Sequence, residues 1–374
     1  MDIHRWFKAD CLFEENTAKR IVHEALRVRE DDMVLIDTWQ HTIDLASQIS
    51  LECYKAGAKP LMTLMTDQLW WNVFQQIPDE YIRKTPRHIL AALDSINVWI
   101  HLGGPEDPSK FREVNASHLQ QFFDGEKAVL DKTLQRKIRI GEVLIGYVTP
   151  QRAKIYGFEY DRWAKMTHSA LDVDHLKLRE LGRKIAARLE RSGKIRVTAK
   201  PGTDLRFEIN KRPAHVQDGI VDDEDMERGL VSTALPAGKV EVAPIENTAQ
   251  GTVVFNTPRA LKGHMINDLR LDFDKGRIAK YTASSGEEVF REVFEATAGD
   301  KDYIAQFAIG INPKAELIGY TTDELVLGTV SIGVGGNKGL GGKNDSDFGF
   351  TGTLVNPTVE VDNTTIMKNG KLNI

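Results

Sequence analysis

Near the end of the chain Asp345 and Asp347 flank Ser346. Two carboxylates at that spacing could hold Mg or Ca through oxygen, or work as an acid–base pair. Asp residues in short runs also form turns, because their side chains bond nearby backbone. Just before them runs Gly333-Val-Gly-Gly-Asn-Lys-Gly-Leu-Gly-Gly-Lys343. It has the glycines of a phosphate loop without its chemistry. Lys343 is followed by Asn344 instead of Ser or Thr, and the residues from Thr351 read as strand, not helix. Glycine lets main chain come close, so the run reads better as a lid or a tight backbone approach to a pocket. Lys338 and Lys343 would bring positive charge to an acidic ligand there, or stand solvated.

Other reactive side chains are scattered. His215 and His264 lack the His-x-x-x-His spacing of a helical metal site and read as solvated. Asp222-Asp-Glu-Asp225 reads as a solvated turn or a helix start. Trp70 and Trp71 with Phe74 have the spacing of one helix face, which suits a buried core or dimer contact better than a stacking platform for a ligand. The two cysteines, Cys11 and Cys53, cannot make a disulfide framework or a Cys-rich zinc site.

Bulk properties narrow the class. The chain has 374 residues, enough for two or three domains with well-buried cores. It is 41% apolar and 28% charged, as soluble globular proteins are. A net charge of -5 argues against general nucleic-acid binding, which needs a basic surface. The first residues, Met1-Asp-Ile-His-Arg-Trp, lack the apolar core of a signal peptide, and no run reaches a membrane-span length. The expectation is a cytoplasmic, enzyme-sized protein with no membrane partner.

The elements that must position any site fall into two textures. Thr17 to Val28 and Ile43 to Lys55 have helical apolar spacing. Met33 to Asp37 reads as a buried strand, Pro60 to Met65 as a second strand, and Ile96 to Leu102 and Glu142 to Val148 as two more strand candidates. Strand–helix–strand units favour a parallel sheet with right-handed crossovers. Leu176 to Arg191 is a helix ended by Ser192-Gly193. After it come short β-rich runs with Gly and Pro turns: Ile195 to Thr198, Asp204 to Ile209, Gly251 to Phe255, and a hairpin about Asp274-Lys-Gly276. Glu287 to Ala296 is a helix. The expected layout is an α/β N-terminal domain over residues 1-193 with an open, mostly parallel sheet. A β-rich α+β C-terminal domain over 194-374 follows, carrying the site.

The order of motifs in the second half resembles the M29 family of aminopeptidases, the aminopeptidase T-like family. The residues are Gly202-Thr-Asp-Leu205, Leu235-Pro-Ala-Gly-Lys-Val240, Ala243-Pro244, Phe273 to Ile278 and Ile309-Gly-Ile-Asn-Pro313. They continue with Asp323-Glu324, Gly328 to Gly335, Gly341 to Ser346 and Pro357-Thr-Val359. They span about 170 residues; the first half agrees only in layout. The resemblance implies a homodimer and two divalent metals held by carboxylates and imidazoles, which would activate water and polarise a peptide carbonyl.

This sequence departs from that pattern at each ligand placed. Lys239 stands for a Glu, Gln306 for a Glu and Ser331 for a His. Gly349 and Thr351 stand for a His and an Asp, and a catalytic Tyr falls near Lys338. At about 4 Å, two unit charges interact by roughly 4 kcal/mol at an effective dielectric of 20, and a divalent ion would feel about twice that repulsion from Lys239. Lys239 is thus expected to exclude the first metal. It would then orient an anionic substrate, act as a base or nucleophile if burial lowers its pKa, or form an ion pair with Glu241 or Glu246. A ring-cleaving dioxygenase of this kind of scaffold uses iron on two His and an Asp, and that His-x-Asp pair is missing too.

The expected function is a metal-independent hydrolase or ring-opening enzyme on a small anionic or amide-bearing molecule, without cofactor. Lys239, Asp347 and Ser331 are the candidates for catalysis, Ser331 only if a base lies within reach. Glu241, Gln306, Lys338, Lys343 and Thr351 are the candidates for substrate binding. The alternatives are a conventional metalloaminopeptidase with ligands elsewhere and a non-catalytic binding or assembly homologue.

Overall fold

The computed structural model describes residues 14–374. The N-terminal Met1-to-Trp6 reading and Cys11 lie outside the described residues. The described residues divide into two compact units, 14–154 with 219–236, and 155–218 with 237–374.

The first unit holds a five-stranded parallel sheet in the order Lys59–Met65, Met33–Trp39, Val98–His101, Arg139–Val143, Ser232–Leu235. Val34, Leu35 and Ile36 are buried on both faces of the sheet, as strands covered on both sides require. Helix Ile43–Lys55 connects the first two strands over the residues expected. Trp71 and Phe74 are buried on helix Asp67–Gln76, and Trp70 packs edge-on against Trp39, Phe74 and Phe122, so the aromatic face is core.

Two local readings shift. The strand expected over Glu142 to Val148 is Arg139–Val143, followed by a 3-10 turn at Leu144–Tyr147. A buried arginine opens that strand because its charge is met: Arg139 pairs with Asp32 at 2.5 Å and donates to the carbonyls of Leu26 and Arg27. Ser232–Leu235, read with the β-rich half, instead closes the parallel sheet beside Arg139–Val143. Between these elements Asp222 caps helix Asp223–Arg228, its side chain accepting from Asp225 N, so the acidic run is a helix start.

Among the described residues the second unit holds two large antiparallel sheets and a two-stranded one, Arg259–Leu261 with His264–Ile266. One has eight strands, running from Arg277–Thr282 through Thr203–Glu208 and Lys194–Ala199 to Lys371–Leu372. The other has five, in the order Gly349–Leu354, Val330–Gly335, Ile304–Gly310, Lys239–Val242, His215–Gln217. Their apolar faces share one core: Val197, Leu205, Phe207 and Val359 from the first, Val240, Val242, Phe307, Ile309 and Ile332 from the second. Leu178, Ile185 and Leu189 of helix His175–Glu190 join the same core. A single boundary at residue 193 therefore differs from the observed division. The helix before it buries its apolar face in the β-rich unit, and residues 219–236 belong with the parallel sheet.

Candidate functional site

The five-stranded antiparallel sheet of the second unit has one apolar and one polar face, set by period-two alternation. Val240 and Val242 point into the core, so Lys239 and Glu241 point the other way. The register places Gln217 opposite Lys239, His215 and Ala308 opposite Glu241, Ser331 opposite Ala308, and Gly333 beside both Gln306 and Thr351. Lys239, Glu241, Gln306, Ser331 and Thr351 therefore share the polar face. His215 is on it too, half-buried in a strand instead of solvated.

Lys239 is the centre of a bonded cluster. Its Nζ lies 2.9 Å from Glu241 Oε2 and 3.0 Å from Glu324 Oε2. Glu241, 3% exposed, also accepts from Gln217 Nε2 at 2.8 Å and Gln306 Nε2 at 2.5 Å. Gln306 Oε1 in turn accepts from Thr351 Oγ1 at 3.0 Å. Each buried polar group finds a partner, which is the condition for keeping such groups out of water.

Close backbone approaches fix this geometry. Gly238, at φ +129, leads into the Lys239 strand, and a Cβ there would stand 2.5 Å from Asn312 Cβ. Asn312 is fully buried and donates to the Ala170 and Ala237 carbonyls, holding the strand entry in place. A Cβ on Gly333 would meet Gln306 Cβ at 2.9 Å and Thr351 Oγ1 at 3.1 Å, so the missing side chain makes room for the Gln306–Thr351 bond. Glu324 arrives from the 3-10 turn Thr321–Leu325. Beside it Asp323 accepts from the backbone N–H groups of Ile318 and Gly319, and burial outweighs those bonds to push its carboxyl up to about 6.

The electrostatics decide what Lys239 can do. Burial disfavours its charge, but Glu241 and Glu324 outweigh burial and hold the ammonium above its ordinary pKa. Burial likewise works against a charged Glu241, and Lys239 with the two amides outweighs it, so the carboxylate is held below its usual range. The expected route to a base or nucleophile, a lysine made neutral by burial, is thus reversed by two carboxylates. Lys239 is a fixed cation. The ion-pair alternative is met by Glu241 and not by Glu246, which pairs with Arg212 at 2.9 Å.

The remaining candidates lie outside this network. Ser331 is 1% exposed and its hydroxyl bonds Thr353 Oγ1 at 3.0 Å, a partner that is not a base. Lys338 is exposed and pairs with Asp345 at 2.8 Å. Lys343 is exposed and meets Glu246 only through its backbone N–H. Asp347 is an exposed residue ahead of strand Gly349–Leu354. The Gly-rich run between them is a tight main-chain packing: a Cβ on Gly335 would lie 2.0 Å from Phe348 O, and buried Asn337 and Asn344 bond across the loop. Sequence reasoning missed Glu324 and Gln217. Gln217 had a signal, since it alternates with His215 on a short strand; Glu324 had only its place beside Asp323 in the motif order.

The two divalent metals implied by the resemblance need several carboxylates or imidazoles around each ion. Among the described residues, no three His, Cys, Asp or Glu side chains are grouped so as to hold a metal ion. At the polar face an ammonium, two amides and two hydroxyls stand among the carboxylates, and both Glu241 oxygens are already engaged. This donor set does not fit the ion pair.

A family model described as thermophilic metalloprotease (M29) matches residues 14–318. Aminopeptidase AmpS of Bacillus subtilis (strain 168) is 26% identical over 108 residues, which is 29% of this chain and 25% of that protein. The chain thus aligns with about a quarter of that relative's length. Among solved structures, wild-type AmpT from Thermus thermophilus aligns with a TM-score of 0.75 at 16% identity, over 97% of this chain and 99% of that one. A 2,5-dihydroxypyridine dioxygenase from Pseudomonas putida KT2440 aligns with a TM-score of 0.62 at 16% identity, over 97% and 96%. At such identities the likeness is one of fold. Among the described residues, no helix is long and apolar enough to cross a membrane.

Proposed function

The chain belongs to the M29 peptidase family, and we propose that within it this protein works without the paired metals, with the Lys239 ammonium as the fixed cation of the site. The observation that supports this reading is the placement of Nζ between Glu241 and Glu324, at 2.9 and 3.0 Å. An ammonium there supplies positive charge as a metal would, but it offers no open coordination position and cannot activate water as a Lewis acid.

Of the two substrate classes expected, the cluster's charge favours the amide-bearing one. Two carboxylates against one ammonium leave a formal excess of one negative charge, which repels an anion. Gln217, Gln306 and Thr351 bring amide and hydroxyl groups, which suit an uncharged amide. Hydrolysis of a small amide is the reaction class proposed, by family membership. A homodimer belongs to the same proposal, and light scattering on the purified protein tests it.

A second reading has its own support. The cluster bonds its groups to one another, as a structural network in a non-catalytic binding homologue would. One experiment separates the readings: the purified protein, with and without a chelator, is assayed against amino-acyl amides, peptides and small cyclic amides. Turnover that survives chelation and falls with Lys239→Met supports the metal-independent enzyme. Turnover abolished by chelation and restored by zinc or cobalt supports a conventional metallopeptidase. No turnover on any member supports the binding homologue.

A further inference from the structure

The parallel sheet of the first unit has its own group of polar side chains, apart from the Lys239 cluster. Its strand order places Met33–Trp39 between Lys59–Met65 and Val98–His101, so the connection after Met33–Trp39 leads to one side of the sheet and the connection after Val98–His101 to the other. In open parallel sheets such a reversal opens a crevice at the carboxyl ends of the two strands that diverge, and ligands bind there. Here those strands carry Asp37 and His101, paired in register. Thr63 and Glu142 extend the same row on the neighbouring strands, opposite Asp37 and His101 respectively.

The row is built, not merely acidic. Asp37 accepts from Thr63 Oγ1 at 2.6 Å and from Trp99 Nε1 at 2.7 Å, and its Oδ2 lies 3.2 Å from His101 Nδ1. Three donors thus hold one carboxylate, and the carboxylate holds the imidazole through Nδ1. The Trp99 ring lies against His101 with centroids 4.7 Å apart. Among the described residues Nε2 of His101 has no hydrogen-bond partner, and the His101 and Asp37 side chains are 28% and 35% exposed. An imidazole fixed through Nδ1, with Nε2 open, presents a directed nitrogen that accepts when the ring is neutral and donates when it is protonated. The rim is fixed as well: His41 Nε2 bonds Gly146 O at 2.9 Å, and a Cβ on Gly103 would lie 2.5 Å from Gly146 C.

We propose that this row is a second small-molecule site, in which His101 Nε2 and the Glu142 carboxylate together bind a ligand with adjacent hydroxyl groups, such as a sugar or cyclic polyol. His101 Nε2 bonds one hydroxyl, which can donate or accept, and Glu142 accepts from its neighbour. Adjacent strands lie about 4.8 Å apart, a span that neighbouring hydroxyls can bridge. The charge count favours a neutral ligand over an anion. The carboxylates of Asp37 and Glu142 face the row, and Glu126 with His88 stands nearby on the covering helices. Burial works to neutralise His101, but Asp37 and Glu142 outweigh it, so the imidazole binds its second proton more readily than a free histidine does.

The test uses the full-length protein with 15N-labelled histidine at constant pH. It is titrated separately with myo-inositol, cyclohexanol and inorganic phosphate, and the imidazole nitrogens are followed by NMR. The expected result is a saturable shift of His101 Nε2 with myo-inositol, about tenfold weaker binding of the single-hydroxyl cyclohexanol, and no shift with phosphate. Asp37→Asn and Glu142→Gln should each weaken myo-inositol binding by about tenfold, and Glu142→Gln retains the Asp37–His101 pair if Asp37→Asn fails to fold. A His101 signal unmoved by myo-inositol, moved equally by phosphate, or unaffected by Glu142→Gln would overturn the proposal.

Discussion

Lys239 and Glu241 stand two residues apart on one strand, and their side chains meet at 2.9 Å on the polar face of the sheet. Residues at that spacing share a face but do not usually bond; here Glu324 on a separate turn completes the clamp at 3.0 Å. Lys239→Met should destabilise the protein by about 3–5 kcal/mol, because it leaves Glu241 buried without its countercharge. The double variant Lys239→Met with Glu241→Gln should recover part of that loss. Denaturant unfolding of the set measures both numbers.

Glu246, half-buried, and Asp323, buried, give stability opposite pH dependences. Glu246 is held at about 2, since the bonds from Arg212 and backbone outweigh burial, so its contribution is present above the unfolded carboxylate range and is lost as pH falls toward 2. Asp323 is raised to about 6, so the folded state binds its proton more tightly than the unfolded one does. Its contribution therefore grows as pH falls from about 6 toward 4 and is lost above the folded value. Thermal melts across that upper window should show a slope that Asp323→Asn removes, while Glu246→Gln should flatten only the acid limb.

The glycine-rich loop is predicted to be held by its asparagines. Asn344 Nδ2 donates to Ile304 O at 3.1 Å and Gly335 O at 2.8 Å. Asn344→Ala should cost about 1–3 kcal/mol by leaving those carbonyls short of a donor. Limited proteolysis should then cut within residues 336–347 faster than in the unaltered protein.

Cys53 is fully buried, and burial, aided by Asp32 and Glu52, pushes its thiol up to about 12. In a Cys11→Ser background, a thiol reagent at neutral pH should titrate no cysteine until denaturant is added. Rapid labelling of the native protein would contradict the packing around this helix.

Sequence reached the polar face but not its clamp. Alternation alone puts Lys239 with Glu241, and the family pattern adds Gln306, Ser331 and Thr351 from strands that the register brings alongside. Glu324 lies 85 positions from Lys239, on a turn whose path no local pattern fixes. That unseen carboxylate is what turns Lys239 from a candidate base into a fixed cation. Ser232–Leu235 was misplaced for a similar reason: four residues carry too little pattern to say which sheet they join. The Asp37–His101 pair was also invisible, since strand order is a property of the fold and not of either segment.

The claim that an ammonium stands where the family's first metal would sit is tested most directly by crystals soaked in excess zinc or cobalt, with diffraction recorded at the metal edge. We predict no anomalous density among Lys239, Glu241 and Glu324, with Nζ still between the two carboxylates. An ordered ion bound by Glu241 and Glu324, with the lysine turned aside, would contradict it.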